Sequence, residues 1–408
     1  MTSVGLRLFC DGLQIIFVLY GVLVVGHFLV QTLFAHLAWR QSKRREEAEV
    51  SLPMFLPSVD VVVACYNEDP GRLETCCASL VAQEYDGEMN IYLVDDGSGN
   101  RDALVPVYER YAGQANWSIL LPDRNAGKRH AQDLAVRYGR GELVVTIDSD
   151  TEIAPDGIRT IVGVFRDERV GAVTGNVGVS NAGHNLLTRL IDMRYWVAFN
   201  QERAAQGFFG SVLCCSGPFA VYRRSALSEV WPRYTSQTFH GVPCTYGDDR
   251  HLTNLILAGD YLALYEPRAR AITNAPETLN EYLRQQLRWN KSFYRELLWT
   301  LTFLHRRSAY LLFEVVTQTL LPPLLTLAVA SMLVSALLID PDYLFRYFGT
   351  IAVMAVLHCL YALYRTKNPQ FLLFVLYGFL HAGLLIPIRV RALSTLTDNR
   401  WGTRTIQA

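Results

Sequence analysis

The chain has 408 residues, 50% apolar and only 19% charged, which leaves room for one sizeable soluble domain plus membrane segments and argues against a purely soluble protein. Lys+Arg and Asp+Glu both number 38, and this zero net charge, without a dense basic run, gives no support to a nucleic-acid role. The eight cysteines are scattered and form no C-x-x-C pair, so structural zinc is not expected.

Residues 13–39 contain no charged side chain, more than the about 20 residues that cross a hydrocarbon core. The run is too long for a cleaved signal peptide, and no A-x-A site comes after it. Arg40, Lys43, Arg44 and Arg45 stand directly behind it, so the positive-inside rule places the chain beyond this helix in the cytoplasm. Residues 1–40 therefore read as a transmembrane helix and 41–56 as a charged linker.

Between residues 57 and 278 short apolar runs alternate with helix-length stretches. Residues 59–64 lead into Cys65-Tyr66-Asn67-Glu68, 90–94 into Asp95-Asp96-Gly97-Ser98, and 143–147 into Asp148. This alternation predicts βαβ units and a buried parallel sheet, in which ligands bind beyond the carboxyl ends of the strands. Neither G-x-G-x-x-G nor G-x-x-x-x-G-K-[ST] is present, so a nucleotide would be held another way.

The residues at those strand ends suggest chemistry. Asp148 and Asp150 lie two apart, so both can reach one hard cation or an adjacent ribose. Asp95 and Asp96 precede Gly97, which allows a tight turn, and suit contacts to a base and ribose. Lys128 and Arg129 can set positive charge against phosphate, or can simply be a solvated helix start. A sugar hydroxyl that displaces a diphosphate needs a base to take its proton. In Gly247-Asp248-Asp249-Arg250 the candidate is Asp249, with Asp248 the alternative, and mutual repulsion would raise one of the two pKa values. A helix N-cap is the plainer use of the pair.

In Gln285-Gln286-Leu287-Arg288-Trp289, the Arg288 fork suits phosphate oxygens and the Trp289 face suits a stacked acceptor sugar. Apolar residues at helical spacing predict amphipathic helices at the membrane surface over 279–310. Three apolar runs, 315–339, 347–364 and 371–388, then fill a membrane region over 311–390. Pro322-Pro323 should kink the first or break it in two. Three simple crossings would leave the C-terminus outside, yet Arg365, Lys367, Arg389, Arg391, Arg400 and Arg404 favour inside. One segment is therefore expected to re-enter or lie flat, with 391–408 a cytosolic tail.

Together these motifs resemble family 2 processive glycosyltransferases, and within them the class I hyaluronan synthases. The likeness is dense at Gly127-Lys128-Arg129-His130-Ala131-Gln132, Glu202-Arg203-Ala204-Ala205-Gln206, Cys215-Ser216-Gly217-Pro218, Arg288-Trp289-Asn290-Lys291-Ser292-Phe293 and Trp401-Gly402-Thr403-Arg404. It implies an α/β GT-A-type glycosyltransferase domain with N- and C-terminal transmembrane helices, multi-pass in the plasma (inner) membrane with its catalytic domain cytoplasmic. It also implies Mg²⁺ or Mn²⁺ and inverting transfer from UDP-N-acetylglucosamine and UDP-glucuronic acid to a growing polysaccharide, extruded across the lipid bilayer. By the same resemblance, Tyr66, Asn67, Glu68, Asp95, Asp96, Lys128, Arg129 and Asp148 would bind the nucleotide sugar, and Asp148 and Asp150 the metal. Cys215, Ser216, Gly217 and Pro218 would line the acceptor site, Asp249 would be the base, and Gln285, Arg288 and Trp289 would grip diphosphate and acceptor. Trp401 and Arg404 would cover the donor from the cytoplasm.

One N-terminal helix, where bacterial hyaluronan synthases usually have two, matches the nodulation-type chitooligosaccharide synthases, which use UDP-N-acetylglucosamine alone. These share Leu190-Ile191-Asp192-Met193 but tend to differ at Ser216, Asp248, Asn290-Lys291-Ser292 and Gly402-Thr403. Hyaluronan is thus the first reading and a chitooligosaccharide the alternative, with a homodimer able to complete a channel that one helix leaves open. A transporter is disfavoured, because the C-terminal runs hold His358, His381 and few other ionisable groups.

Overall fold

The computed structural model describes residues 3–49, 53–338 and 340–399. Helix α1 (Ser3–Glu49) is followed by β1 (Val59–Cys65), α2 (Pro70–Val81), β2 (Met89–Asp95), α3 (Arg101–Ala112), β3 (Trp117–Leu120), α4 (Lys128–Tyr138), β4 (Leu143–Asp148), β5 (Thr151–Ile153) and α5 (Gly157–Val162). Next come β6 (Val170–Val179), α6 (Leu186–Val197), α7 (Ala204–Phe208), β7 (Ala220–Arg223), α8 (Arg224–Thr235), the hairpin β8 (Thr238–Phe239) and β9 (Val242–Pro243), α9 (Asp248–Ala258), β10 (Leu262–Thr273) and α10 (Leu279–Leu304).

The main sheet has the order β3-β2-β1-β4-β7-β6-β10-β5. Strands β3, β2, β1 and β4 run parallel, as the three short apolar runs predict. Both faces are covered, Val59, Val61 and Val63 packing into one core cluster and Val62 and Val144 into another, which is why these strands read as unbroken apolar runs. The expectation of a wholly parallel sheet fails at β7, which is antiparallel to both β4 and β6. A strand entering from the opposite end begins where the parallel strands finish. The reversal therefore sets Cys215-Ser216-Gly217-Pro218, just ahead of β7, beside the carboxyl end of β4.

The last part of the chain holds α11 (Ala309–Leu338), α12 (Asp342–Thr366), α13 (Val375–Leu380) and α14 (Ile386–Ser394). Among the described residues, four segments are long and apolar enough to cross a membrane: Val18–Glu47, Ala309–Leu338, Asp342–Thr366 and Pro369–Ser394. Helix α1 does not stop at residue 40 but continues to Glu49, with Lys43 and Arg365 both stacked over Trp39, at 4.5 and 4.3 Å. Nor does Pro322-Pro323 break α11, which is helical throughout; neighbouring helices and local side-chain bonds, such as Thr326 Oγ1 to the Pro322 carbonyl at 2.9 Å, sustain it.

The final segment differs from a simple crossing. It runs as a 3-10 turn (Pro369–Phe374), α13, a π-turn (His381–Leu385) and α14. At its start Phe371 and Phe374 share a core cluster with Leu190 and Val197 of α6. After its end Leu396 accepts hydrogen bonds from Arg295 of α10, at 2.5 and 2.8 Å. The start of the segment thus packs on α6, and the residues after its end are held by α10.

Candidate active site

The carboxyl edge of the sheet gathers the loops after β1, β2 and β4. Asn67, at φ 47°, accepts from the Gly99 N–H at 2.7 Å. Tyr66 in the same loop is half-buried. Glu68 is buried, and its Oε2 accepts from Ser149 Oγ at 2.6 Å. The Asp95 side chain is enclosed and takes Arg101 Nε at 2.7 Å and the Ser98 N–H at 2.8 Å. Glu68 and Asp95 thus each brace a loop from within. Asp96 accepts from the N–H groups of Ala126 (3.0 Å) and Gly127 (2.7 Å) and from Asn125 Nδ2 (2.9 Å). Burial raises its pKa, and the two backbone donors oppose that rise. It thereby fixes the start of α4, where Lys128 stands.

Lys128 is the hinge of the site. Its Nζ lies 2.5 Å from Asp148 Oδ1 and 3.4 Å from Asp248 Oδ2. Burial works against its charge, but Asp148 and Asp248 outweigh burial and raise its pKa. Gly217 presses on this pair: a Cβ there would lie 3.1 Å from Lys128 Nζ and 3.2 Å from Asp148 Oδ2. Arg129 does not join them. Its guanidinium is anchored to the Tyr234 carbonyl at 3.2 Å and to Gln237, so it acts on the site only through its charge. Asp150 accepts from Thr273 Oγ1 at 3.1 Å. Among the described residues no cluster of three His, Cys, Asp or Glu side chains is built to hold a metal ion. Asp148 and Asp150 fit a Mg²⁺- or Mn²⁺-type site that is completed by phosphate oxygens and water.

Asp248 and Asp249 open α9 behind Gly247, which sits at φ 79°. A Cβ on Gly247 would fall 2.2 Å from Ser292 Oγ, so glycine is what lets α10 approach this turn. Burial pushes Asp249 up and the adjacent Asp248 charge pushes it further. Burial also acts on Asp248, but Lys128 and Arg129 hold it below the ordinary value. The two acids are thus driven apart, the pattern that assigns different roles to a pair of carboxylates. The expected side-chain cap is absent from this helix start.

The motif-bearing helix α10 sits across this turn. Glu296 receives His251 Nδ1 at 3.0 Å, and Asn254 Nδ2 reaches Thr300 Oγ1 at 3.3 Å. Arg288, Ser292 and Arg295 share the stripe facing Gly247 and the tail, with Gln285 one turn earlier. Trp289 turns away and is 46% exposed. Arg295 and Lys291 hold the segment 396–399: Arg295 Nη2 reaches Asn399 Oδ1 at 2.7 Å, and Lys291 Nζ reaches the Asp398 carbonyl at 3.3 Å. Tyr246 OH donates to the same carbonyl at 2.8 Å. The tail therefore returns to the rim of the Asp248–Asp249 turn. Trp401 and Arg404 lie outside the described residues.

A cavity of about 490 Å³ begins at Cys214, Arg250 and Trp289 and extends between α1, α11, α12 and α13. Sequence reasoning assigns the acceptor wall to Cys215-Ser216-Gly217-Pro218. Cys215 instead is fully buried, with its N–H on Thr253 Oγ1 at 2.8 Å. It is Cys214 that faces the cavity, its Sγ 3.4 Å from Asp249 Oδ2. Ser216 is buried and Pro218 half-buried beside it. Alternation of side chains along an extended backbone offers either cysteine, and nothing local chooses between them.

Residues 60–231 match the family described as Glycosyl transferase family 2. An N-acetylglucosaminyltransferase of Rhizobium sp. (strain N33) is 44% identical over 352 residues, 85% of this chain and 77% of that protein. One from Sinorhizobium fredii is 44% identical over 348 residues, 85% of this chain and 84% of that protein. One from Neorhizobium galegae is 40% identical over 388 residues, 95% of this chain and 88% of that protein. Among solved structures, the mannosyltransferase PcManGT from Pyrobaculum calidifontis, in complex with GDP-Man and Mn²⁺, superposes with a TM-score of 0.56 at 20% identity, covering 89% of this chain and 98% of that one. That likeness establishes the GT-A-type fold.

Proposed function

Given that this chain belongs to glycosyl transferase family 2, we propose that it is a processive N-acetylglucosaminyltransferase that builds a chitooligosaccharide from UDP-N-acetylglucosamine at a membrane. The observation that supports this most is 44% identity, over 85% of the chain, to an N-acetylglucosaminyltransferase of Rhizobium sp. (strain N33). It reverses the order of the two readings drawn from sequence, in which hyaluronan stands first.

In this reading Asp249 takes the proton of the acceptor hydroxyl as it attacks the anomeric carbon. Its raised pKa, from burial and the Asp248 charge, improves it as a base. Cys214 donates to Asp249 Oδ2 and the Arg250 N–H to Oδ1, which fixes the carboxylate's orientation. Lys128 and Arg288 supply positive charge to the leaving diphosphate. Asp148 and Asp150 would hold a divalent cation, Mg²⁺ or Mn²⁺, which supplies further neutralisation of that charge. Trp289 stacks the acceptor sugar at the mouth of the cavity, which receives the product. Tyr66, Asn67 and Asp96 shape the nucleotide end. Arg40, Lys43, Arg44 and Arg45 place the catalytic domain in the cytoplasm.

A second reading, alternation with UDP-glucuronic acid into hyaluronan, draws support from the cavity wall. Arg194, Arg203, Arg250 and Arg389 line it against one carboxylate, Glu202, a balance that suits an anionic product. Donor dependence separates the two. Purified protein in detergent with Mn²⁺ receives UDP-N-acetylglucosamine, UDP-glucuronic acid or both, and UDP release is measured. Sustained turnover with the first donor alone and a chitinase-sensitive product are expected. Turnover only with both donors, giving a hyaluronidase-sensitive polymer, would replace the first reading with the second.

A further inference from the structure

In the first turns of α11, one carboxylate gathers five donors. Glu314 of α11 is fully buried. Its Oε1 accepts from the amide nitrogens of Gln31 (3.2 Å), Gln206 (3.1 Å) and Gln318 (2.7 Å). Its Oε2 meets His27 Nε2 at 2.9 Å and Tyr310 OH at 3.3 Å. These partners come from α1, α7 and α11, so Glu314 ties the N-terminal helix to both the catalytic domain and the C-terminal helices. An ionisable group fully buried in a helix long and apolar enough to cross a membrane calls for a role beyond packing.

The role comes from what a carboxylate can do. Ionised, it only accepts hydrogen bonds, so each glutamine must turn its NH₂ toward Glu314 and its oxygen away. Gln206 uses its oxygen on the Leu213 N–H at 3.2 Å. The oxygens of Gln31 and Gln318 accept from no described residue, and both side chains line the cavity that begins at Trp289. The wall there consequently offers fixed acceptors, matched to groups that donate: sugar hydroxyls and acetamido N–H.

We infer that Glu314 is a positioning residue that orients Gln31 and Gln318 into a subsite for a neutral, N-acetylated sugar of the product chain, beyond the sugar stacked at Trp289. This rests on the glycosyltransferase reading above. Glutamine at position 314 would keep the shape but supply its own NH₂, so the neighbouring amides could turn either way and the fixed orientation would be lost.

The test compares acceptors of increasing length. Full-length wild type, Glu314→Gln, Gln31→Ala and Gln318→Ala, in detergent with UDP-N-acetylglucosamine and Mn²⁺, are given N-acetylglucosamine, its dimer, trimer or tetramer. Loss of two acceptor bonds predicts that Glu314→Gln raises the tetramer KM about tenfold. Each glutamine variant should raise it about threefold. The KM for the monosaccharide and for the donor should not move, because neither reaches the subsite. An equal change at every acceptor length would reduce Glu314 to a structural strut and overturn the inference, as would an unchanged tetramer KM. If Glu314→Gln does not fold, judged by loss of UDP binding, the two glutamine variants decide by the same criterion. A wild type that releases no UDP, with or without an added acceptor, would instead sink the glycosyltransferase reading, and this inference with it; one that extends its own chain but takes none of the added acceptors would overturn this inference alone.

Discussion

Replacing Asp249 by Asn separates chemistry from folding. The amide keeps the size of the side chain and can still accept from the Arg250 N–H, which lies 2.8 Å from Oδ1. It cannot take a proton from an acceptor hydroxyl. A positioned base is worth about 10² to 10⁴ in rate, so kcat should fall by that factor, equivalent to roughly 3–5 kcal/mol of barrier. Stability should move the other way. A carboxyl whose folded pKa is raised above its unfolded value lends stability that is full below the unfolded value and is lost as pH rises through the folded one. Burial and Asp248 raise Asp249 in this manner, so at neutral pH its charge costs stability and the amide removes that cost. The apparent Tm of Asp249→Asn should therefore hold or rise, by roughly 2 °C if the relief is about 1 kcal/mol. UDP release with saturating donor and acceptor, thermal unfolding, and UDP binding by calorimetry form the assay. The acid limb of the wild-type pH–rate profile should sit above the ordinary aspartate value of 3.8, since the rate falls as this base protonates, and should vanish from residual Asp249→Asn activity. Turnover above a tenth of wild type, or a clear loss of Tm with weakened UDP binding, would refute the assignment.

Other perturbations test the rest of the site. Lys128→Met strips Asp148 and Asp248 of their shared cation; because Lys128 and Asp148 are partly exposed, at 19% and 30%, about 2 kcal/mol of stability should be lost, with a higher donor KM in steady-state kinetics. Chelation should abolish transfer and Mn²⁺ should restore it, with Asp150→Asn shifting the Mn²⁺ titration to higher concentration; activity untouched by chelator would remove the metal from the scheme. Arg295→Ala deletes the donors to Leu396, Asp398 and Asn399, so the tail should become a site of limited proteolysis, with the donor KM rising and the acceptor KM unaffected.

How much a sequence reveals depends on how local the determinant is. The strand ends at Cys65, Asp95 and Asp148 are legible because β-branched runs buried on both faces leave a signature at adjacent positions. The direction of β7 is not, since Ala220–Arg223 is too short to show which end enters the sheet. The partner that anchors Arg129, Gln237, lies 108 residues away, and no local pattern announces it. Glu314 carries a visible signal, a lone carboxylate beside the apolar run. Hydropathy alone starts that run at Val315 and so leaves Glu314 outside it, whereas the helix starts at Ala309.

The clasp on residues 396–399 also bears on the order in which the protein can mature. Those residues leave the ribosome after every membrane segment, about a hundred positions behind their partners on α10. Until they arrive, Lys291 and Arg295, only 3% and 7% exposed in the finished structure, are cations without those carbonyls to receive them. Burying such groups uncompensated costs several kcal/mol. Helix α10 therefore gains its full hold on the Asp248–Asp249 turn only after residues 396–399 have been made. A half-made chain would carry the Asp248–Asp249 turn unlatched, so this pair of carboxylates reaches its final setting only after every membrane segment has been made.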